Sequence, residues 1–144
     1  MIASVLVICE GNVCRSPMAC ALLAGLLPHT RVVSAGTHAR VGEGASPLAI
    51  DVMAARGMDI RAHVATAVHE NMVRHADLVM TMTTAQRRVI ESRHAFARGR
   101  VYRLCRECDV IDPYRRDRTI FETSLQQIER GVAQWLDVLA RAPC

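Results

Sequence analysis

The sequence predicts an α/β fold, a single three-layer α/β/α domain over residues 1–144 with a four-stranded parallel sheet. Three observations lead there. The first third of the chain places a strand, a helix and a second strand within about thirty residues, the spacing of a βαβ unit. Two further β-rich runs follow, separated by a helical stretch that opens on threonines and closes on a glycine. Finally, 51% of the 144 residues are hydrophobic and 22% charged, a globular composition at a length that supports one sizeable core. There is no internal repeat, low-complexity tract or linker.

Taken in order, Val5-Leu6-Val7-Ile8 is a short apolar run that reads as a buried strand, ending at Cys9 where glycine and asparagine take over. A loop runs from Cys9 to Arg15. Ser16 and Pro17 then read as N-cap and first helical residue, and Met18 to Leu27 as a deeply packed helix that Pro28 ends. Arg31 to Ala35 is the second strand, broken at Gly36. The two strands should lie parallel through a right-handed crossover, and ligands of such sheets sit at the carboxyl ends of strands, where Cys9 stands.

Thr37 to Gly44 is a loop with no apolar period. Ser46-Pro47 repeats the cap-then-proline signal, and a helix from Leu48 to Arg56 should close on Gly57 as its C′ residue. Met58 to Ala65 is expected to return to the sheet region. Asp77 to Met82 is a third strand, Thr83 or Thr84 caps a helix from Ala85 to about Ala97, and Val101 to Leu104 is the fourth strand beyond Gly99. Thr119-x-x-Glu122 reads as a capping box. Phe121, Leu125, Ile128, Val132, Trp135, Leu136 and Leu139 then recur at helical spacing, so the last helix packs one face on the sheet, with Trp135 in the core.

The loop after the first strand carries the chemistry. Curled backbone N–H groups and the positive end of the following helix form a concave anion site. Arg15 adds a planar fork suited to two phosphate oxygens. A cysteine at the floor of that positive field is favoured as thiolate, and a thiolate facing bound phosphate is a nucleophile for phosphorus. Gly11 and Asn12 tolerate the positive φ such a loop needs.

The pattern Cys-x5-Arg-Ser, here CEGNVCRS over Cys9 to Ser16 and close to the N-terminus, resembles the low-molecular-weight protein tyrosine phosphatases. That resemblance implies a phosphate-binding loop after the first strand, with Cys9 as nucleophile and Arg15 as phosphate clamp. Glu10, Gly11, Asn12, Val13, Cys14 and Ser16 would surround the phosphate, and Asn12, Ser16 and Ser34 would brace the loop. The DPYRRD stretch looks like the family's general-acid loop. Asp112 is then the acid, stiffened by Pro113, that protonates a departing phenolate whose conjugate acid has a pKa of about 10, with Tyr114 as a wall for the substrate ring. The SAGT, VGEGASP and DPYRRD stretches are most similar to bacterial members that act on tyrosine autokinases controlling capsule or exopolysaccharide export. The implied substrate is a phosphotyrosine protein, with no metal or other cofactor, and the implied state is a monomer.

Several residues depart from the family's pattern. Arg40 stands by position in the cleft wall, where an aromatic or large apolar side chain is usual; it either reads acidic residues beside a phosphotyrosine or is a solvated loop charge. Thr66 and Ala67 replace an Arg-Gln pair, and Thr83 replaces an acidic residue. Cys14 is, by the resemblance, a partner for a reversible disulfide with Cys9, and otherwise a small buried side chain. His63 and His69 read as structural. Two competing functions remain at this point. A thiol-dependent arsenate reductase on the same scaffold needs resolving cysteines near mid-chain, whereas residues 21–104 contain none. A non-catalytic phosphotyrosine-binding module would lack the nucleophile or the acid, and both are present.

The formal charge of +4 favours anionic ligands in a cleft, but aromatics make up only 3% of the chain and no long Lys/Arg run exists, which argues against nucleic acid. No apolar run approaches the roughly twenty residues of a membrane span, and Met1-Ile2-Ala3-Ser4 lacks the basic start of a secretion signal, so a cytoplasmic protein without membrane insertion is expected. The six cysteines, Cys9, Cys14, Cys20, Cys105, Cys108 and Cys144, should therefore be reduced. Cys105-x-x-Cys108 lacks the second ligand pair of a zinc site, and it follows a late strand rather than opening a helix as redox motifs do.

Overall fold

The alternation of apolar residues along Ser4–Cys9 (β1) decides the architecture, because Val5 and Val7 point to one side of the sheet, Leu6 and Ile8 to the other, and all four are fully buried. A strand buried on both faces needs helices on both, as parallel sheets have. The computed structural model describes residues 2–141. After β1 come helix α1 (Arg15–Leu26), strand β2 (Arg31–Gly36), helices α2 (Pro47–Ala54) and α3 (Glu70–His75), strand β3 (Leu78–Thr81), helix α4 (Thr84–Arg93), strand β4 (Val101–Arg103) and helix α5 (Arg118–Arg141).

The strands form a four-stranded sheet in the order β2-β1-β3-β4. Every pairing is parallel, with Cys9 opposite Gly36 and Ile8 opposite Thr81. Val5, Val7 and Met80 pack with Met18, Leu23, Val52, Met53, Leu125 and Ile128 of α1, α2 and α5. Leu6, Ile8, Val79 and Val101 pack with Val73 and Ile90 of α3 and α4. The α/β expectation and its four parallel strands are thus met, and the carboxyl ends of β1 and β2 open on one edge of the molecule.

Local boundaries differ from the expectation where a side chain has another task. Helix α1 starts at Arg15 with Cys14 in the cap position, so Ser16 and Pro17 lie inside its first turn; the Ser16 hydroxyl faces Cys9 instead of the helix amides. Ser46 does precede α2, but its side chain accepts no capping bond. Helix α2 ends at Ala54, and Gly57, at φ +77°, lets Met58 N–H return to Met53 O. The segment from Met58 to Ala65 is loop, and the chain meets the sheet just after it, where Ala67 bridges Gly36 and Gly36 bonds Thr66 O and Val68 N–H.

Thr83 caps α4 in a full capping box with Gln86, and the helix stops at Arg93, with a 3-10 turn at Ala95–Ala97 completing the predicted stretch. The last helix is capped by Asp117, whose Oδ1 accepts from Ile120 N–H at 3.1 Å, rather than by Thr119. Trp135 sits half-buried at the core's rim, its indole N–H donating to Leu104 O at 3.0 Å. Among the described residues no helix is long and apolar enough to cross a membrane. Cys144 lies outside the described residues.

Candidate active site

The loop from Cys9 to Arg15 is built around Asn12, which is fully buried and left-handed at φ 58°. A left-handed residue inside a turn lets successive N–H groups face one concavity. Asparagine adopts that region at little cost, and its side chain holds the loop closed. Asn12 Nδ2 donates to Ser16 Oγ at 2.7 Å and to Ser34 Oγ at 3.0 Å, while Thr66 N–H donates to Asn12 Oδ1 at 2.9 Å. His63 Nε2 lies 2.6 Å from the Asn12 carbonyl. The predicted braces Asn12, Ser16 and Ser34 are therefore brought together. His63 has the structural task expected of it, whereas His69 only occupies the position before α3.

Neighbouring backbone clasps the same loop. Thr37, His38 and Arg40 N–H donate to the carbonyls of Cys9, Glu10 and Gly11, and Ser46 N–H to that of Val13. This needs glycine at position 36, since a Cβ there would lie 2.4 Å from Glu10 O. Thr66 supports the loop through its backbone N–H, and its hydroxyl turns to Val64 O, so the missing arginine of the resembling family leaves this support intact. Thr83 is committed to capping α4.

Cys9 Sγ is 2.9 Å from Ser16 Oγ and receives Asn12 N–H at 3.2 Å. A serine hydroxyl and a backbone amide thus both meet the sulfur. Arg15 is only 4% exposed. Its guanidinium donates to Val110 O at 3.2 Å and lies 3.4 Å from Asp112 Oδ2. Asp112 Oδ1 in turn receives Tyr114 N–H at 3.1 Å. Cys9, Glu10, Gly11, Val13, Cys14, Arg15, Asp112 and Tyr114, with Arg40 and His38, line one cleft of about 160 Å³. The predicted nucleophile, clamp and acid thus meet in one place, although Asp112 comes from the far end of the chain.

Arg40 does stand in the wall, where its Nε donates to Glu43 and its guanidinium carbon lies 5.2 Å from the centre of the Tyr114 ring. Arg115, itself left-handed at φ 61°, places its guanidinium carbon 5.3 Å from the same ring. Two cations therefore approach the Tyr114 ring, a contact favourable to each. The Cys14 thiol is pushed up to about 12, chiefly by burial and further by the negative charges of Cys9 and Asp112, against the Ser46 hydroxyl and Arg15. It stays protonated near neutrality.

Sequence reasoning missed the Val110 carbonyl, the Thr66 amide and the His38 wall. The first two act through backbone, which leaves no mark in a side-chain motif; His38, beside the glycine-bounded loop, was readable as a neighbour of Arg40. Among the described residues no group of three or more His, Cys, Asp or Glu side chains stands together as metal ligands.

Residues 4–143 match the family model described as low molecular weight phosphotyrosine protein phosphatase. The chain is 46% identical over 138 residues to the probable low molecular weight protein-tyrosine-phosphatase EpsP of Ralstonia nicotianae, covering 94% of this chain and 95% of that one. It is 38% identical over 145 residues to the low molecular weight protein-tyrosine-phosphatase Wzb of Escherichia coli K12, covering 96% and 97%. The crystal structure of the tyrosine phosphatase Wzb from Escherichia coli K30 in complex with sulphate superposes with a TM-score of 0.93 at 32% identity, over 96% of this chain and 99% of that one.

Proposed function

The chain belongs to the low molecular weight phosphotyrosine protein phosphatase family and is a protein-tyrosine-phosphatase, and we propose that it works through a phosphocysteine at Cys9. The observation that carries this reading is the meeting of Cys9, Arg15 and Asp112 in one small cleft. In the first step the Cys9 thiolate forms a bond to phosphorus while the bond to the tyrosyl oxygen breaks. Arg15 and the loop amides hold the equatorial oxygens, whose charge grows in the transition state. The arriving phosphate takes Arg15 from Asp112, and the acid form of Asp112 gives its proton to the phenolate as the P–O bond breaks.

In the second step Asp112, now ionised, accepts a proton from water as the water oxygen attacks phosphorus and the P–S bond breaks. The Ser16 hydroxyl, 2.9 Å from sulfur, steadies the departing thiolate. The cycle needs no metal or cofactor, since positive charge comes from Arg15 and the loop dipoles. Cys105 and Cys108 lie against one another, while the cysteine lining the cleft with Cys9 is Cys14. An arsenate reductase route through the late pair is accordingly not favoured.

We place the substrate among bacterial tyrosine autokinases of capsule or exopolysaccharide export, with the enzyme a cytoplasmic monomer of one domain. Similarity to EpsP and Wzb and the SAGT, VGEGASP and DPYRRD stretches support this assignment. Assay of Cys9→Ser and Asp112→Asn on aryl phosphates of graded leaving-group pKa tests the mechanism. Cys9→Ser should abolish turnover. In kcat/KM, which reports the first step, Asp112→Asn should lose about 10²–10⁴-fold on poor leaving groups and much less on good ones; equal losses in kcat/KM across the series would remove Asp112 from its role as acid.

A further inference from the structure

Outside the phosphate loop, the turn after β4 brings two thiols together. Cys105 Sγ and Cys108 Sγ are 3.0 Å apart, close enough that a small rotation of either side chain reaches bonding distance. Neither is engaged in a disulfide here. The contact arises although the motif opens no helix, because the turn is held from outside. Arg103 Nε donates to Cys105 O and its Nη2 to Arg106 O, while the Trp135 indole fixes Leu104 O from α5. Downstream, Asp109 Oδ1 accepts from Thr84 N–H and pairs with Arg103, and Val110 N–H donates to Met82 O. The two sulfurs therefore sit between fixed points.

We propose that Cys105 and Cys108 form a reversible disulfide, a redox-modification site separate from Cys9 and located where the chain enters the loop that carries Asp112. The oxidant is a low-molecular-weight disulfide. Cys108, the partly exposed member, attacks first as thiolate, forming a mixed disulfide and expelling one thiolate of the oxidant. Cys105 sulfur then attacks Cys108 sulfur, its proton passing to solvent, and the second half of the oxidant leaves. Two protein thiols are oxidised and one small disulfide is reduced to two thiols. The hydrogen bond shared with Cys105, then burial and the Cys105 charge, push the Cys108 thiol up, against Arg103 and Arg130. A disulfide closing so short a loop constrains the unfolded chain little, which suits a switch rather than a staple.

Two readouts isolate this pair. Trypsin cleaves after Arg106, between the cysteines. After treatment of the folded full chain with glutathione disulfide, alkylation, denaturation and digestion without reductant, the peptide Leu104–Arg106 should be found linked to Glu107–Arg115. Second, Trp135 is the single tryptophan and is bonded to the residue before Cys105, so in a Cys9→Ser background its emission should change on oxidation and return with a dithiol. Both signals should vanish in Cys108→Ser and in Cys105→Ser. Recovery of the two peptides unlinked and alkylated, under oxidation that blocks Cys9 in the wild type, overturns the proposal. So does an emission change that survives Cys108→Ser.

Discussion

Asn12 shows how much of the site rests on one side chain. It holds Ser16, Ser34 and the Thr66 amide at once, and Ser16 in turn touches the Cys9 sulfur. Asn12→Ala leaves buried donors and acceptors without partners, each costing about 1–3 kcal/mol, and puts alanine at a positive φ. The expected result is a clear fall in unfolding temperature with a large loss of kcat. Asn12→Gly relieves the backbone but not the lost bonds; it should recover part of the stability and little of the activity. Recovery of full kcat by Asn12→Gly would assign the residue a backbone role alone. At this scale the positions of Cys9, Arg15, Asn12 and Ser16 were legible from side chains at fixed spacing in one short loop, and those of Ser34 and Asp112 through the resemblance to the family. Val110 O and Thr66 N–H were not, since any residue supplies them.

Helix ends, by contrast, were read only in part. Thr83 caps α4 as its sequence signal says, with Asp109 closing the same terminus from across the chain through Thr84 N–H. Ser16 failed as a cap because it turns to the sulfur, and Thr119 because Asp117, two residues earlier and directly before the helix, is the acceptor. Helix α3 was not predicted at all; it is short and polar around a single buried residue, Val73, which leaves no period to detect. Asp109 offers a test of the α4 terminus. Burial pushes its carboxyl up, but the Thr84 amide and Arg103 outweigh burial and hold it below the usual range. A group with a lowered folded pKa contributes stability that is present above its unfolded value, about 3.9, and lost as pH falls through the folded one. Asp109→Asn should therefore lower the unfolding temperature near neutrality and narrow the gap to wild type at pH 3 and below. A constant gap across that range would show that the charge is not what holds the helix end.

Across the whole molecule, the sheet buried on both faces was the most legible feature, since unbroken apolar strands and intervening helices leave few other packings. What the pattern of strands could not show is how residues so far apart in sequence share one cleft. That depends on the β2 loop and the acid loop both rising at the carboxyl edge. The cleft's rim is cationic, with Arg40 and Arg115 both against the Tyr114 ring. We expect peptides with acidic residues beside the phosphotyrosine to bind better than neutral ones, and more so at low salt. Arg40→Ala should raise KM for acidic phosphopeptides several-fold while leaving kcat/KM for para-nitrophenyl phosphate close to wild type. Equal effects on both substrates would make the Arg40 side chain a support of the cleft wall, through its contacts with Glu43 and the Tyr114 ring, rather than a reader of sequence.

The most direct measurement is to trap the intermediate. Para-nitrophenyl phosphate needs little help from an acid to lose its phenolate, but hydrolysis of the phosphocysteine still needs a base. In Asp112→Asn the covalent enzyme should therefore accumulate. Rapid acid quench and peptide mass analysis should find one phosphoryl group on the Cys9 peptide, with a burst of nitrophenol equal to the enzyme present. A burst with the phosphoryl group on another residue, or steady turnover with no adduct on Cys9 at any time, would contradict the account.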